Sequence, residues 1–146
     1  MLSLDTNILV YSADNTAAAR YVAAKQIVDR AAPAGVVLTE QSLFEFFHAC
    51  TRKGKMTLRE ASTVVERFAR DFSLIFPHKS VVEDALALRD RYGVSIWDAR
   101  LLVVCGANGC NHLLSEDMQD GMQYGPVTIV NPFKAANVAL VGQLLK

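Results

Sequence analysis

The sequence predicts an α/β fold: a three-layer α/β/α domain on a mostly parallel sheet of about five strands. Two observations carry this. Short apolar runs of strand length, at Met1–Leu4, Val36–Thr39, Phe72–Phe76, His112–Ser115 and Val127–Val130, alternate with stretches of helical periodicity. One of the helical stretches, Leu101 to Cys105, is apolar on nearly every side, which marks a buried helix. No linker, repeat or composition shift divides the 146 residues, so residues 1–146 are expected to form a single domain.

The first run ends in a carboxylate, Asp5, followed by Thr6 and Asn7. A helix is predicted from about Ala17 to Ala32, with Thr16 as N-cap and Pro33 and Gly35 as the stop. The strand Val36–Thr39 leads into a helix with Leu43, Phe44, Phe47 and Cys50 on its apolar face. At 100° per residue, Gln41, Glu45, His48 and Arg52 fall on the opposite, polar face. Lys53-Gly54-Lys55 breaks it, and Thr57 with Glu60 makes a capping box for the next helix, whose stripe is Leu58, Ala61, Val65, Phe68 and Ala69. These two helices are expected to pair as a hairpin.

Pro77 closes the strand Phe72–Phe76. Ser80 and Glu83 form a second predicted capping box, opening a helix that runs to Tyr92 and ends at Gly93. Ser95 and Asp98 repeat the box before the buried helix. Two further strands follow, and Phe133 to Leu145 is expected to close the chain as a helix.

Composition limits the function classes. Lys plus Arg equals Asp plus Glu at 15 each, so no global positive field draws in nucleic acid, and such a partner must be gripped by a local patch or by metal ions. Cys50, Cys105 and Cys110 are an odd set without C-x-x-C spacing and read as reduced thiols. No secretory pattern opens the sequence, and the uncharged stretch from Leu101 to Ser115 is broken by Gly106, Asn108, Gly109, Asn111 and His112. The expected setting is cytoplasmic, with no membrane span.

Four acids occupy positions that this architecture can bring together. Asp5 ends the first strand, Asp98 sits in the first turn of the buried helix, Asp117 follows the strand His112–Ser115, and Glu45 projects from a polar helix face. Ligands of open α/β sheets bind beyond the carboxyl ends of the strands. Each acid also has an ordinary reading: Asp98 as its own helix cap, Glu45 as a partner of Arg52 or His48, Asp117 as part of a turn. The joint placement favours a site. Clustered carboxylates repel unless a cation compensates them, and all-oxygen donors select Mg²⁺ or Mn²⁺. Hydrolysis of a phosphodiester in nucleic acid is the natural use of such a site.

Asp5-Thr6-Asn7, Glu45 within Ser42-Leu43-Phe44-Glu45-Phe46, Trp97-Asp98-Ala99 and Leu114-Ser115-Glu116-Asp117-Met118-Gln119-Asp120-Gly121, in this order, resemble the PIN domain. The likeness is to VapC-type toxins of bacterial toxin–antitoxin pairs, and it covers essentially the whole chain. It implies a metal-dependent endoribonuclease whose acids match Asp5, Glu45, Asp98 and Asp117, with Asn7 and Ser115 as polar supports. Asp5, Asp98 and Asp117 would hold one Mg²⁺ or Mn²⁺, and Glu45 would help hold it or position a second ion. The resemblance also implies an RNA substrate, a cognate antitoxin and a homodimer. Many relatives carry Thr where this chain has Ser115, and Glu116 and Asp120 flank the fourth acid as acidic neighbours.

Arg52, Lys53, Lys55 and Arg59 in the hairpin turn are candidates for RNA contact, with an ordinary solvated turn as the favoured alternative; Arg100 is a further candidate, expected rather to pair with a site carboxylate. Trp97 is expected to pack, and Tyr21, Val22 and Ile27 are candidates for partner contacts. His48, His78 and His112 match no metal-ligand spacing. Two alternatives stay open. One is a non-catalytic PIN-like RNA-binding or regulatory domain; the other is a haloacid-dehalogenase-like phosphatase, whose second aspartate would stand where this chain has Asn7. A receiver-type signalling domain fails for lack of paired acids after the first strand.

Overall fold

Alternation along short strands divides the core into two. In Leu113-Leu114, Val37-Leu38 and Ile129-Val130, one residue of each pair packs on one side of the sheet and its neighbour on the other, as the two-residue period requires. The computed structural model describes residues 1–146. Its strands are β1 (Leu2–Leu4), β2 (Val37–Thr39), β3 (Ser73–Ile75), β4 (His112–Leu114), β5 (Gln123–Tyr124) and β6 (Val127–Val130). They form one sheet in the order β3-β2-β1-β4-β6-β5, parallel except for β5 against β6.

The helices are α1 (Thr6–Ala13), α2 (Ala19–Ala31), α3 (Glu40–Arg52), α4 (Leu58–Asp71), α5 (Val81–Tyr92), α6 (Ile96–Ala107) and α7 (Val138–Leu144). Residues of α1–α4 and α7 share one core cluster with Leu2, Leu4, Leu38, Leu114 and Val130 of the sheet. Residues of α6 share the other with Val37, Ile75, Leu113, Val127 and Ile129, and Leu88 of α5 packs against it. The result is the expected three-layer α/β/α arrangement. No helix is long and apolar enough to cross a membrane.

Successive strands step outward from β1 to β2 and β3, then return to the other side of β1 as β4 and β6. The order therefore reverses between β1 and β4, and the carboxyl ends of these two strands flank the crevice that such a reversal opens. Their register is Leu4 opposite Leu114, and the Asp5 N–H donates to the Leu114 carbonyl at 2.9 Å.

Several local expectations change. The sheet has six strands, because Gly125-Pro126 makes a two-residue turn with Gly125 at φ 57° and folds Gln123-Tyr124 back as β5. Helix α1 begins directly at Thr6, with the Asp5 carboxylate accepting from the Thr6 N–H at 2.7 Å. Eight mostly apolar residues carry too little periodicity to reveal it. Thr16 does not cap α2; it lies in a short 3₁₀ turn where Asp14 accepts from its N–H at 3.1 Å and its hydroxyl at 2.6 Å, and α2 starts without a side-chain cap. The Thr57–Glu60 box forms as expected, but Ser80 turns its hydroxyl to Asp84 at 3.2 Å, so the second box is absent. The closing helix is shortened to α7, preceded by a 3₁₀ turn at Ala135–Asn137.

The apolar face of α3 is also rotated. Leu43, Phe46 and Cys50 are buried, whereas Phe44 is 73% exposed. Positions i, i+3 and i+7 define a narrower stripe than the four residues selected from the sequence, and Phe44 stands about 100° to its side. Leu58 at the start of α4 is exposed, and Ile27, a candidate for partner contact, is buried in the core.

Candidate active site

Each of the four acids reaches the crevice by a different local device. Asp5 is carried there by the end of β1 and held by two donors, the Thr6 N–H at 2.7 Å and the Ser115 hydroxyl at 2.6 Å. Ser115 follows β4 directly and is fully buried; its oxygen also accepts from the Asp117 N–H at 3.2 Å, which draws the fourth acid toward the first. Asp98 stands in the first turn of α6, where the Ser95 hydroxyl accepts from its N–H at 3.0 Å. Ser95 therefore caps the helix, and the Asp98 carboxylate lines the crevice instead.

Glu45 projects from α3 and is fixed at both oxygens. Thr6 Oγ1 donates to Oε2 at 3.0 Å and Gln41 Nε2 donates to Oε1 at 2.7 Å. Neither Arg52 nor His48 pairs with it. Asp5, Thr6, Asn7, Glu45, Asp98 and Asp117 all line one cleft of about 360 Å³, joined on its outer side by Lys53 and Lys55.

Electrostatics mark the cleft as strained in negative charge. Burial pushes the Asp5 carboxyl up from 3.8 to about 6, and the charges of Asp117 and Asp98 push the same way, against the two hydrogen bonds that favour its ionised form. Burial likewise raises Asp98, assisted by Asp117 and Glu45. Both polar atoms of the Asn7 carboxamide are buried without a partner. Such orphaned groups are rare in folded proteins and call for a ligand, an ion or water.

Four carboxylates and a free carboxamide oxygen are the donor chemistry of a hard divalent cation, so the residues present fit Mg²⁺ or Mn²⁺. As they lie, no three acidic, histidine or cysteine side chains are arranged to hold a metal ion, so the acids would have to draw together around one.

The neighbouring acids have other duties. Glu116 pairs with Arg20, which lowers its pKa, and Asp120 accepts from the Asn131 N–H and Asn137 Nδ2, both at 2.8 Å, and pairs with Lys134 at 3.1 Å. Among the candidate RNA contacts, Lys53 and Lys55 reach the cleft, with Lys55 paired to Asp14; Arg52 is exposed and outside it. Arg100 does pair, but with Glu40 and with Gln41 Oε1 at 2.7 Å, not with one of the four acids. Trp97 does not pack: it is 64% exposed. His48 is exposed, His78 bonds Asp84 at 2.7 Å, and His112 Nδ1 faces Asn111 Oδ1 at 3.0 Å.

Two residues that orient the acids escaped sequence reasoning. Thr6 was visible in the Asp5-Thr6-Asn7 run, but only α1 turns its hydroxyl toward Glu45. Gln41 lies one helical turn before Glu45, a spacing that permits the contact without requiring it.

The fold has known relatives. The PIN domain family profile matches residues 2–119. No curated relative matches at a significant level. Among solved structures, a toxin–antitoxin complex from Klebsiella pneumoniae is similar with a TM-score of 0.65 and 21% identity, over 92% of this chain and 99% of that one. VapC20 of Mycobacterium tuberculosis, described as a sarcin–ricin loop cleaving toxin, is similar with a TM-score of 0.66 and 19% identity, over 80% and 90% of the two chains. VapBC2 of Rickettsia felis, bound to a DNA fragment from its promoter, gives 0.65 and 13% over 89% and 97%. At these identities the likeness is one of fold, and with the family profile spanning most of its length, the chain belongs to the PIN domain family.

Proposed function

We propose that this PIN domain is a metal-dependent endoribonuclease of the VapC toxin type, hydrolysing RNA phosphodiester bonds at the cleft of Asp5, Glu45, Asp98 and Asp117. The observation that carries the reading is the meeting of these acids, from four separate elements, at the strand-order reversal of the sheet. Asp5, Asp98 and Asp117 would hold Mg²⁺ or Mn²⁺, with Glu45 helping to hold it. Bound there, the ion supplies Lewis acidity toward water and phosphate oxygen.

The chain's own residues do the rest. Ser115 and the Thr6 N–H keep Asp5 aimed into the cleft, and Thr6 with Gln41 keeps Glu45 there. Lys53 places positive charge beside the acids, where an RNA backbone entering a neutral protein needs it, and Lys55, paired with Asp14, lines the same cleft. Attack of water on phosphorus with breakage of the bond to the 3′-oxygen, the outcome the family resemblance implies, would leave a 5′-phosphate and a 3′-hydroxyl. The similar structures, one a sarcin–ricin loop cleaving toxin and another a toxin–antitoxin complex, support a cognate antitoxin and a toxin role for this chain. A homodimer is part of the same proposal.

The test is cleavage of a panel of structured RNAs by purified protein with Mg²⁺, Mn²⁺ or EDTA, beside Asp5→Asn and Asp98→Asn. Metal-dependent cleavage that disappears in both folded variants is the expected result. Cleavage surviving both substitutions, or persisting in EDTA, would overturn the assignment.

A further inference from the structure

A second cleft, of about 770 Å³, shares Glu45 with the acid site and is built differently. Phe44 immediately precedes Glu45 on α3, and Trp97 immediately precedes Asp98 on α6. Neighbouring residues on a helix are about 100° apart, so each aromatic flanks the face from which its acid projects. Both aromatics are largely exposed, at 73% and 64%, and both line this cleft.

Gln41 ties its walls together. Its Nε2 donates to the Trp97 carbonyl at 3.0 Å as well as to Glu45, and its Oε1 accepts from Arg100 Nη1 at 2.7 Å. Arg100 in turn pairs with Glu40. The cleft thus offers two uncovered aromatic side chains on walls held together by a network whose own hydrogen bonds are made. The surface it presents is mostly apolar, supplied by these two rings, with Glu40, Glu45, His48 and Arg100 around them, and it adjoins the acids through Glu45. It suits a planar heterocycle, with apolar faces and a polar edge, carried on a strand whose phosphate lies at the acids. Unpaired bases are held in this way by proteins that bind single strands.

We propose that this cleft is a nucleobase subsite, in which Phe44 and Trp97 stack on an unpaired base of the RNA strand whose phosphate lies at the acids, while the Glu40–Arg100 pair lies beside the base edge and Gln41 holds the walls in place. The inference rests on the ribonuclease reading for its substrate. Its test does not require cleavage.

Trp97 is the only tryptophan, so its emission reports on the cleft directly. In EDTA, titration of the wild-type protein with unpaired RNA octamers, each rich in one base, is expected to quench that emission saturably. A ribose-phosphate oligomer of the same length without bases is expected to leave it unchanged. Phe44→Ala is expected to weaken binding of the octamer by about 5- to 150-fold, the range for loss of one aromatic partner of a base. With labelled octamer and anisotropy detection, Trp97→Phe retains binding that Trp97→Ala loses. Both positions are exposed, and the Gln41 bond to residue 97 is to its backbone, so these variants keep the fold.

Absence of quenching by every octamer would overturn the proposal, as would equal quenching by the baseless oligomer. So would a wild-type dimer that dissociates on Phe44→Ala, which would assign the cleft to a second copy of the chain. Quenching in a protein that cleaves no RNA would sink the ribonuclease reading and leave the base subsite standing; cleavage without quenching would do the reverse.

Discussion

Asp5→Asn should stabilise this protein in the absence of metal, by an amount that depends on pH. Asp5 is 6% exposed, and the fold lifts its pKa from 3.8 to about 6. Below about pH 4 the carboxyl is protonated in both folded and unfolded chains. Between about pH 4 and 6 the folded protein retains a proton that the unfolded chain has released, so stability falls as pH rises; above about 6 both are ionised and the loss is complete. At 1.36 kcal/mol per tenfold change in proton affinity, the penalty is about 1 kcal/mol at pH 4.5 and about 3 kcal/mol at pH 7.5.

Asparagine carries no such penalty. Its carboxamide oxygen can still accept from the Thr6 N–H, while its amide reverses the bond with Ser115, at a cost of about 1 kcal/mol. The variant should therefore match the wild type at pH 4.5 and exceed it by about 2 kcal/mol at pH 7.5, or roughly 4–8 °C in Tm for a chain of this size. Calorimetry in EDTA at the two pH values measures this. Saturating Mg²⁺ should reverse the order, because only the wild type retains the full set of acids. An Asp5→Asn protein less stable than wild type at both pH values, or a difference that does not change with pH, would refute the argument that burial of this charge opposes folding.

Three further outcomes are expected. Thr6→Val removes the hydroxyl that holds Glu45 Oε2 and leaves Gln41 on the other oxygen; kcat for RNA cleavage should fall about 5- to 30-fold with KM within about twofold, measured by steady-state kinetics. Phe46→Ala opens the core where Phe46 meets Phe68 edge-on at 5.4 Å and should cost about 3–5 kcal/mol, against about 0.5 kcal/mol or less for Phe44→Ala two residues away, in urea unfolding. Gly106→Ala gains helix propensity of up to about 1 kcal/mol, but the new methyl would sit 2.8 Å from Pro126 Cγ; overpacking should win and lower stability by about 1–2 kcal/mol, read by thermal unfolding.

Legibility in the sequence followed the range of the forces involved. The parallel strands, the Thr57 box, the Gly93 stop and the buried α6 depend on neighbours within one or two turns, and all appear where the spacing put them. Expectations failed where one residue type has several equally local outlets or where burial is set by distant packing. Ser80 has a capping residue's chemistry but bonds Asp84 one turn on, and Trp97 has a core residue's chemistry but stands exposed at the cleft. Phe44 and Phe46 are the same residue type two positions apart, and only the placement of α3 against α4 and the sheet decides which of them is buried.

By itself, the sequence determined the layered α/β class and the order in which Asp5, Glu45, Asp98 and Asp117 occur, because strand length, helix period and cap chemistry are local properties of the chain. Tertiary structure alone decided the rest. The return of β4 beside β1 sets Ser115 against Asp5 across 110 residues, and the start of α1 at Thr6 turns a hydroxyl onto Glu45. Gln41 then links α3 to α6 through the Trp97 carbonyl, and Phe44 and Trp97 line one cleft that shares Glu45 with the acid site. These contacts follow from strand order and helix rotation, which are settled by burying two opposite faces of one sheet at once and are written in no single stretch of the chain.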